Sequence, residues 1–196
     1  MKLFVALVAA AGLASSTHAV SWDLAADFSH LNNPNGPWSY GSLVSGVFVP
    51  ATHGVNDGWL WWRNANDTVT VGKNIGPSFA YGIEAGHTTL EADYLVPAAV
   101  WTAPMSGVFQ IRAIMGGSTN SAGGGYGNAA AHLARLSILG VDQTADSFLN
   151  NVKTWSRSDI ALNSGDQVMV WVGQQWGGGN TDTMLTIEAV PEPTSM

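Results

Sequence analysis

The strongest constraint on the fold is an alternating stretch at residues 98–116, AAVWTAPMSGVFQIRAIMG. In a strand, Phe109, Ile111, Ala113 and Met115 would lie on one face, with the polar Gln110 and Arg112 on the other. A period of two with one apolar face is typical of a strand that lies on a hydrophobic core. Trp101 ends a strand-like run just before it, and residues 103–107 contain Pro and Gly, which favour a turn. We therefore predict a hairpin across the middle of a β-sandwich.

Short strand-like runs separated by turn residues fill most of the remaining chain. These runs are residues 21–28, 38–44, 47–53, 58–63, 68–73, 78–84, 88–94, 132–141, 147–152, 154–161, 167–173 and 184–190. An α/β fold would need helices of about ten residues or more between strands, and only residues 129–139 resemble one. The pattern predicts an all-β fold: a two-sheet antiparallel sandwich, jelly-roll-like. Because both faces of the run at 167–173 are apolar, we expect that strand to be central and covered on both sides.

The first nineteen residues have the organisation of a secretory signal peptide. Lys2 supplies a positive start, an apolar run follows, and small residues precede Ala19. The apolar run is too short to span a bilayer as a transmembrane helix. We predict a signal peptide at residues 1–19, a single β-sandwich domain at residues 20–190, and no membrane span in the mature chain.

Charge and composition exclude several classes of function. The chain has a formal net charge of −7, and its basic residues are scattered singly along the sequence. Without a basic cluster there is no electrostatic basis for binding nucleic acid. Cysteine is absent, which excludes disulfides, thiolate metal sites and a cysteine nucleophile. We expect no cofactor and no nucleic-acid partner.

The C-terminal residues 190–196, VPEPTSM, resemble the start of the PEP-CTERM protein-sorting signal. Its hallmark Pro-Glu-Pro is carried here by Pro191, Glu192 and Pro193. Two interior stretches also resemble secreted proteins that commonly carry this signal: residues 27–29 followed by 33–41, and residues 101–104 followed by 107–111. The resemblance implies a secreted protein of a Gram-negative, exopolysaccharide-producing bacterium. An exosortase-type sorting machinery would process it, and it would be located at the cell surface or in the extracellular matrix.

The sequence departs from the family pattern after this motif. In the family, the signal continues into a membrane-spanning helix and a basic cluster, whereas this sequence stops at Met196. Either the sequence is cut short or processed at that point, or the anchor is absent and the protein is released. Without the resemblance, Pro191 and Pro193 would simply indicate an extended, exposed tail after the last strand. We interpret residues 191–196 as the start of a PEP-CTERM-like sorting tail.

Aromatic side chains are the candidate ligand-binding residues. The run WLWWR places Trp59 and Trp61 on one face of a strand and Trp62 on the other. Trp176 lies in a glycine-rich stretch that we interpret as a loop. An exposed indole offers a large rigid surface on which the apolar face of a sugar ring can stack. For the other tryptophans we expect burial in the core; these are Trp22, Trp38, Trp101, Trp155 and Trp171.

Catalytic and metal-binding patterns are weak by comparison. A glycoside hydrolase would need two carboxyl groups facing each other across a cleft, and the candidates are Glu84, Glu91, Asp93 and Asp182. The histidines lack the spacing of a zinc site, and Gly-x-Ser-x-Gly is absent. We therefore predict no catalytic residues and no metal site.

Taken together, these features predict a non-catalytic exported surface or extracellular-matrix protein with weak carbohydrate binding through Trp59, Trp61 and Trp176. Two alternatives stay open. A purely structural or adhesive surface protein would bury Trp59 and Trp61 and bind no ligand. A polysaccharide-degrading enzyme, either a hydrolase or a lyase on a jelly-roll scaffold, would bring two or more of the candidate carboxylates together in a cleft.

Overall fold

The computed structural model describes residues 19–78, 80–92, 94–116, 131–173 and 179–191. The predicted signal peptide therefore lies outside the described residues except for its last position. Trp176, Glu192 and Pro193 also lie outside them, as does Asp93. Within the described part of the chain, none of the helical structure is long and apolar enough to cross a membrane.

The described residues form fifteen β-strands and one short 3₁₀ turn at Ala131–Leu133. In chain order the strands are β1 (Ser21–Asp23), β2 (Trp38–Val44), β3 (Val47–Pro50), β4 (His53–Asn56), β5 (Leu60–Arg63), β6 (Val69–Lys73), β7 (Thr88–Glu91), β8 (Pro97–Thr102), β9 (Gly107–Gly116), β10 (Ala134–Ile138), β11 (Val141–Asp142), β12 (Ser147–Leu149), β13 (Val152–Leu162), β14 (Gln167–Val172) and β15 (Asn180–Val190).

These strands form two antiparallel sheets that pack face to face. The larger sheet has the order β12-β13-β9-β15-β7-β6-β5-β4, and β1 pairs with the C-terminal half of β15. The smaller sheet has the order β11-β10-β14-β8-β2-β3. From β8 onward the chain passes repeatedly from one sheet to the other, which is the kind of connectivity expected of a jelly-roll-like sandwich. The prediction of an all-β two-sheet antiparallel sandwich is confirmed.

The predicted hairpin at residues 98–116 is wrong in its pairing. Both strands form, but β8 lies between β14 and β2 in the smaller sheet, while β9 lies between β13 and β15 in the larger one. The turn at residues 103–106 therefore carries the chain across the core. Trp101 and Phe109 meet edge to face inside the sandwich, with ring centroids 5.4 Å apart. A period of two identifies a strand and its buried face, but it does not say which strand lies beside it.

The core between the sheets is built from the inward positions of both. Trp38, Trp101, Trp155 and Phe109 are among its largest fully buried side chains. Trp22 packs against this core and is partly buried. Burial of an aromatic side chain of this size stabilises the folded state by roughly 2–3 kcal/mol.

The stretch at residues 27–41, which carries part of the family resemblance, has a structural role in the described chain. The Trp38 indole Nε1 donates a hydrogen bond to Asp27 Oδ2 at 3.1 Å. The Asn33 side chain donates to the Tyr40 carbonyl oxygen at 2.8 Å, and its own oxygen accepts from the Tyr40 N–H at 2.9 Å. These bonds fix the loop before β2 against the core.

Two local expectations need correction. The described residues of the predicted strand at 78–84 are not in a strand, because Ala80 and Ile83 form only an isolated bridge around a tight turn. β14 is central, but only one of its faces is fully buried, because Met169 and Trp171 are half-buried on the outer face. Trp171 is therefore not a core residue. A continuous apolar run cannot separate a strand covered on both faces from one with apolar residues on its surface.

Candidate functional site

The β4–β5 hairpin places two tryptophans at one end of the larger sheet. Val55 pairs with Trp61, and a connection that contains Gly58 and Trp59 joins the strands. Gly58 has a φ of +100°, a backbone conformation that glycine adopts without steric cost. The tight connection brings Trp59 back beside Trp61.

The two faces of β5 have different environments. Trp62 points inward, is 4% exposed, and donates a hydrogen bond from Nε1 to the Ser29 carbonyl oxygen at 2.6 Å. Leu60 packs against the same core. Trp61 lies on the outer face, as the alternation in WLWWR predicts.

Trp61 is held by Gly72 and by Trp59. Gly72 is the cross-strand partner of Trp61 on β6, and a Cβ at position 72 would overlap the benzo ring of Trp61. The rings of Trp59 and Trp61 stack with centroids 4.9 Å apart and planes inclined by only 6°. The absence of a side chain at position 72 therefore lets the indole lie against the sheet.

Tyr81 extends this aromatic surface. Its ring centroid lies 5.9 Å from that of Trp59, with the planes inclined by 55°. Tyr81 and Gly82 form a two-residue turn, in which the N–H and carbonyl groups of Ala80 and Ile83 exchange hydrogen bonds at 3.1 and 2.9 Å. The φ angles of Tyr81 and Gly82 are +52° and +86°. We call Trp59, Trp61 and Tyr81 the aromatic platform.

The side chains of the platform are neither fully buried, as a purely structural role would require, nor fully exposed. Trp59 and Trp61 are each half-buried, and Tyr81 is 63% exposed. All three lie outside the core between the sheets. The platform is thus a partly open aromatic surface on the outer face of the larger sheet.

Charged side chains border the platform beyond Trp61. Arg63 lies on the same face of β5; its Nη1 contacts Asp67 Oδ2 at 3.3 Å and its Nη2 lies 3.7 Å from Asp57 Oδ2. His53 Nε2 hydrogen-bonds to Asp67 Oδ1 at 3.0 Å. The hydrogen bond from His53, together with the nearby Arg63 guanidinium, lowers the pKa of Asp67. Asp67 is therefore ionised at neutral pH.

A second polar group lies on the same face of the sheet. Trp61, Gly72, Thr89 and Asp182 follow one another across β5, β6, β7 and β15. Asp182 is 8% exposed, and its carboxylate contacts His87 Nδ1 at 3.0 Å.

The loop that carries Tyr81 also contacts Asp182. The Glu84 N–H donates a hydrogen bond to Asp182 Oδ2 at 3.2 Å. Burial raises the pKa of Asp182, although His87 and the hydrogen bond from Glu84 act in the opposite direction. The loop covers this part of the outer face, and Ile83 within it is fully buried.

The structure brings some of the predicted residues together and separates others. Trp59 and Trp61 are adjacent, whereas Trp176 lies outside the described residues. Of the four candidate carboxyl residues, Glu84 contacts Asp182 through its backbone N–H, and Glu91 pairs with Asn180 on the neighbouring strand. In the described ranges, no three His, Asp or Glu side chains are arranged to hold a metal ion. Pro191 is exposed after the end of β15.

Sequence reasoning missed Tyr81 as a member of the site. The sequence predicts a strand over residues 78–84, in which Tyr81 would have no special position. The Tyr81-Gly82 pair could have indicated this position. The residue before glycine in a two-residue turn is normally Asn or Asp, so an aromatic residue there is unusual.

No protein-family model matches the chain, and no curated protein matches it either. Its function must therefore be inferred from the chemistry of its own residues.

Proposed function

We propose that this is a non-catalytic exported protein of the cell surface or extracellular matrix, and that it binds extracellular polysaccharide weakly through the aromatic platform. The observation that carries the proposal is the stacked, half-buried pair of Trp59 and Trp61 beside the exposed ring of Tyr81. Because these rings lie outside the core, packing between the sheets does not account for them.

The platform has the chemistry needed to contact a sugar ring. Aromatic faces carry partial negative charge and attract the weakly positive C–H groups that line one face of a pyranose. Indole and phenol rings have few rotatable bonds, so they provide contact area at little entropic cost. The stack and the contact with Gly72 restrict Trp61 further before any ligand arrives. Such preorganisation lowers the cost of binding.

The backbone at Tyr81 supports a role for its ring. Its φ of +52° is unusual for a bulky residue, and in this region an L-residue other than Gly, Asn or Asp costs roughly 1–2 kcal/mol. Asn-Gly would suit the turn better than Tyr-Gly. Strained backbone conformations cluster at ligand-binding sites, although Leu139 has a similar φ of +53° in the turn between β10 and β11.

A glycan array tests the proposal directly. We expect the wild type to bind a subset of the immobilised glycans and the double variant Trp59→Ala/Trp61→Ala to lose that binding. Trp171→Ala is the matched control, because Trp171 is also a half-buried indole on an outer sheet face, but in the other sheet. Equal binding by all three proteins would overturn the carbohydrate proposal.

Export and sorting are a separate part of the proposal. The support is the signal-peptide pattern at residues 1–19 and the resemblance of Pro191-Glu192-Pro193 to the PEP-CTERM hallmark. We propose that an exosortase-type machinery recognises this motif and that the protein reaches the envelope or the surrounding matrix. Replacing Pro191 and Pro193 by Ala in the producing bacterium should change the distribution of the protein between envelope and medium. An unchanged distribution would contradict recognition of the motif.

A polysaccharide-degrading enzyme is the second candidate. The observation that favours it is the contact of the buried Asp182 with His87 and with the N–H of Glu84. A hydrolase or lyase acting here would release new chain ends from a polysaccharide, and Asp182→Asn would abolish their release. If neither the wild type nor Asp182→Asn releases chain ends, the enzyme hypothesis is contradicted and only the non-catalytic proposal is left.

A further inference from the structure

The charges beside the aromatic platform bear on which polysaccharides it can accept, provided that the platform binds carbohydrate as proposed above. Arg63 is two residues beyond Trp61 on the same face of β5 and could in principle pair with an acidic sugar. Its guanidinium is instead engaged by Asp67 at 3.3 Å and Asp57 at 3.7 Å. One positive charge is thus shared between two carboxylates.

The hydrogen bond between His53 and Asp67 does not free Arg63 from its two carboxylate partners. His53 Nε2 contacts the Oδ1 of Asp67, while Arg63 contacts the other carboxylate oxygen. Both oxygens of Asp67 are therefore engaged, and its pKa is lowered. Asp57, Asp67 and Arg63 together carry a formal net charge of −1. The formal net charge of −7 for the whole chain has the same sign.

A sugar carboxylate at this position would meet two costs. It would be repelled by Asp57 and Asp67, and like charges at close range cost free energy even in a partly solvated setting. To pair with Arg63 it would also have to displace a carboxylate that is already in place. A neutral hexose has hydroxyl groups that can donate hydrogen bonds to these same carboxylates, and its C–H face can stack on the indoles.

We infer that the platform accepts uncharged polysaccharide and discriminates against polyuronates. Trp59, Trp61 and Tyr81 supply the stacking surface. Asp57 and Asp67 supply the acceptors for hydroxyl groups and the repulsion of acidic sugars. This commits the site to a neutral glycan chain, argued from the charges that border it.

Affinity electrophoresis with the full chain tests the inference. The gels would contain either a neutral polymer (hydroxyethyl cellulose, soluble starch, a β-1,3-glucan or a galactomannan) or a polyuronate (alginate or polygalacturonate). We expect at least one neutral polymer to retard the wild type, with an apparent affinity about tenfold or more above that for either polyuronate, a difference of roughly 1.4 kcal/mol.

Charge variants separate repulsion from shape. Asp57→Asn/Asp67→Asn preserves the size of both side chains and releases Arg63 from its carboxylate partners. We expect this variant to gain retardation by alginate and polygalacturonate at low salt and to lose that gain at high salt, because the interaction is electrostatic. Circular dichroism and thermal unfolding establish that each variant is folded, and Trp171→Ala again serves as the control for loss of an indole.

The outcomes distinguish the two proposals. If polyuronates retard the wild type as strongly as neutral polymers do, and Trp59→Ala/Trp61→Ala abolishes both effects, the platform binds carbohydrate but the inferred selectivity is wrong. If Asp57→Asn/Asp67→Asn is folded but is not retarded more strongly by polyuronates than the wild type, repulsion by Asp57 and Asp67 does not explain the selectivity. If no polymer retards the wild type more than Trp59→Ala/Trp61→Ala, the proposed function itself fails, and the selectivity fails with it.

Discussion

The benzo ring of Trp61 occupies the space that a side chain at Gly72 would fill on the neighbouring strand. The two residues are directly paired across β5 and β6, so the indole lies over the backbone of its partner. This relationship decides how the aromatic platform is held, and it gives the most specific mutational test.

We expect Gly72→Ala to destabilise the protein by about 1–3 kcal/mol, because the added Cβ forces the Trp61 ring out of its position. The clash is with one side chain, so a double-mutant cycle should expose it. In a Trp61→Ala background, most of the cost of Gly72→Ala should disappear. Urea unfolding of the four proteins measures the coupling. Gly107→Ala is the control, because its Cβ would make only ordinary contact with Phe109 at 3.7 Å.

Tyr81→Asn separates binding from stability. The substitution creates an Asn-Gly pair in a two-residue turn where both residues have positive φ, which is the preferred turn sequence. We expect stability to be unchanged or increased by up to about 1 kcal/mol, while glycan binding weakens because the ring beside Trp59 is lost. Thermal unfolding and the glycan array are the two measurements. A variant that binds as well as the wild type would remove Tyr81 from the platform.

Asp182 should make a distinctive contribution to the pH dependence of stability. Burial raises its pKa in the folded protein, so the unfolded chain loses this proton first as the pH rises. Ionisation of Asp182 therefore lowers the free energy of unfolding between its ordinary pKa of about 3.9 and its raised value. The free energy of unfolding of Asp182→Asn, minus that of the wild type, should increase as the pH rises above about 3.9.

Asp146→Asn should show the opposite sign in the same experiment. Hydrogen bonds from Arg157 and from the Ser156 N–H lower the pKa of Asp146, so its ionisation adds stability as the pH rises. The same difference for this variant should fall with rising pH. Denaturant unfolding at a series of pH values measures both. Parallel curves for the two variants would contradict the assignment.

Trp38 and Trp101 allow a matched comparison within the core. They are cross-strand partners on β2 and β8, and both are fully buried. The Trp38 indole N–H donates to Asp27, whereas the Trp101 indole N–H has no hydrogen-bond partner. Replacing either by Phe removes a similar volume, but only Trp38→Phe also breaks a hydrogen bond to a carboxylate. We expect Trp38→Phe to cost about 1–3 kcal/mol more than Trp101→Phe, as measured by urea unfolding.

The amino-acid sequence predicts where the strands of this protein lie along the chain better than it predicts which strands pair with each other. Alternation assigns the faces of β5 and β9 correctly, because it reports burial one residue at a time. It does not reveal that Trp101 and Phe109 belong to different sheets, because pairing depends on residues far away in the chain. Likewise, His87 and Asp182 are 95 residues apart, and only the register of β7 and β15 brings them together.

The candidate site follows the same division: its residues on a single strand can be predicted from the sequence, but its contacts between distant segments cannot. Trp59 and Trp61 are visible in the run WLWWR, since spacing along one strand is local information. Tyr81 is not, because its position depends on a turn that bends the loop back over the sheet. The engagement of Arg63 by Asp57 and Asp67 also requires coordinates, because sequence proximity does not specify which side-chain atoms meet.

The passage of the chain from β8 to β9 has a consequence for how this protein can be divided. A cut in the turn at residues 103–106 would leave β8 without β14, and β15 without β7 and β1. Neither fragment would hold a complete layer, and each would expose strand edges that invite aggregation. The two halves should therefore fold only together, at the slow rates typical of chains whose contacts are mostly distant in sequence.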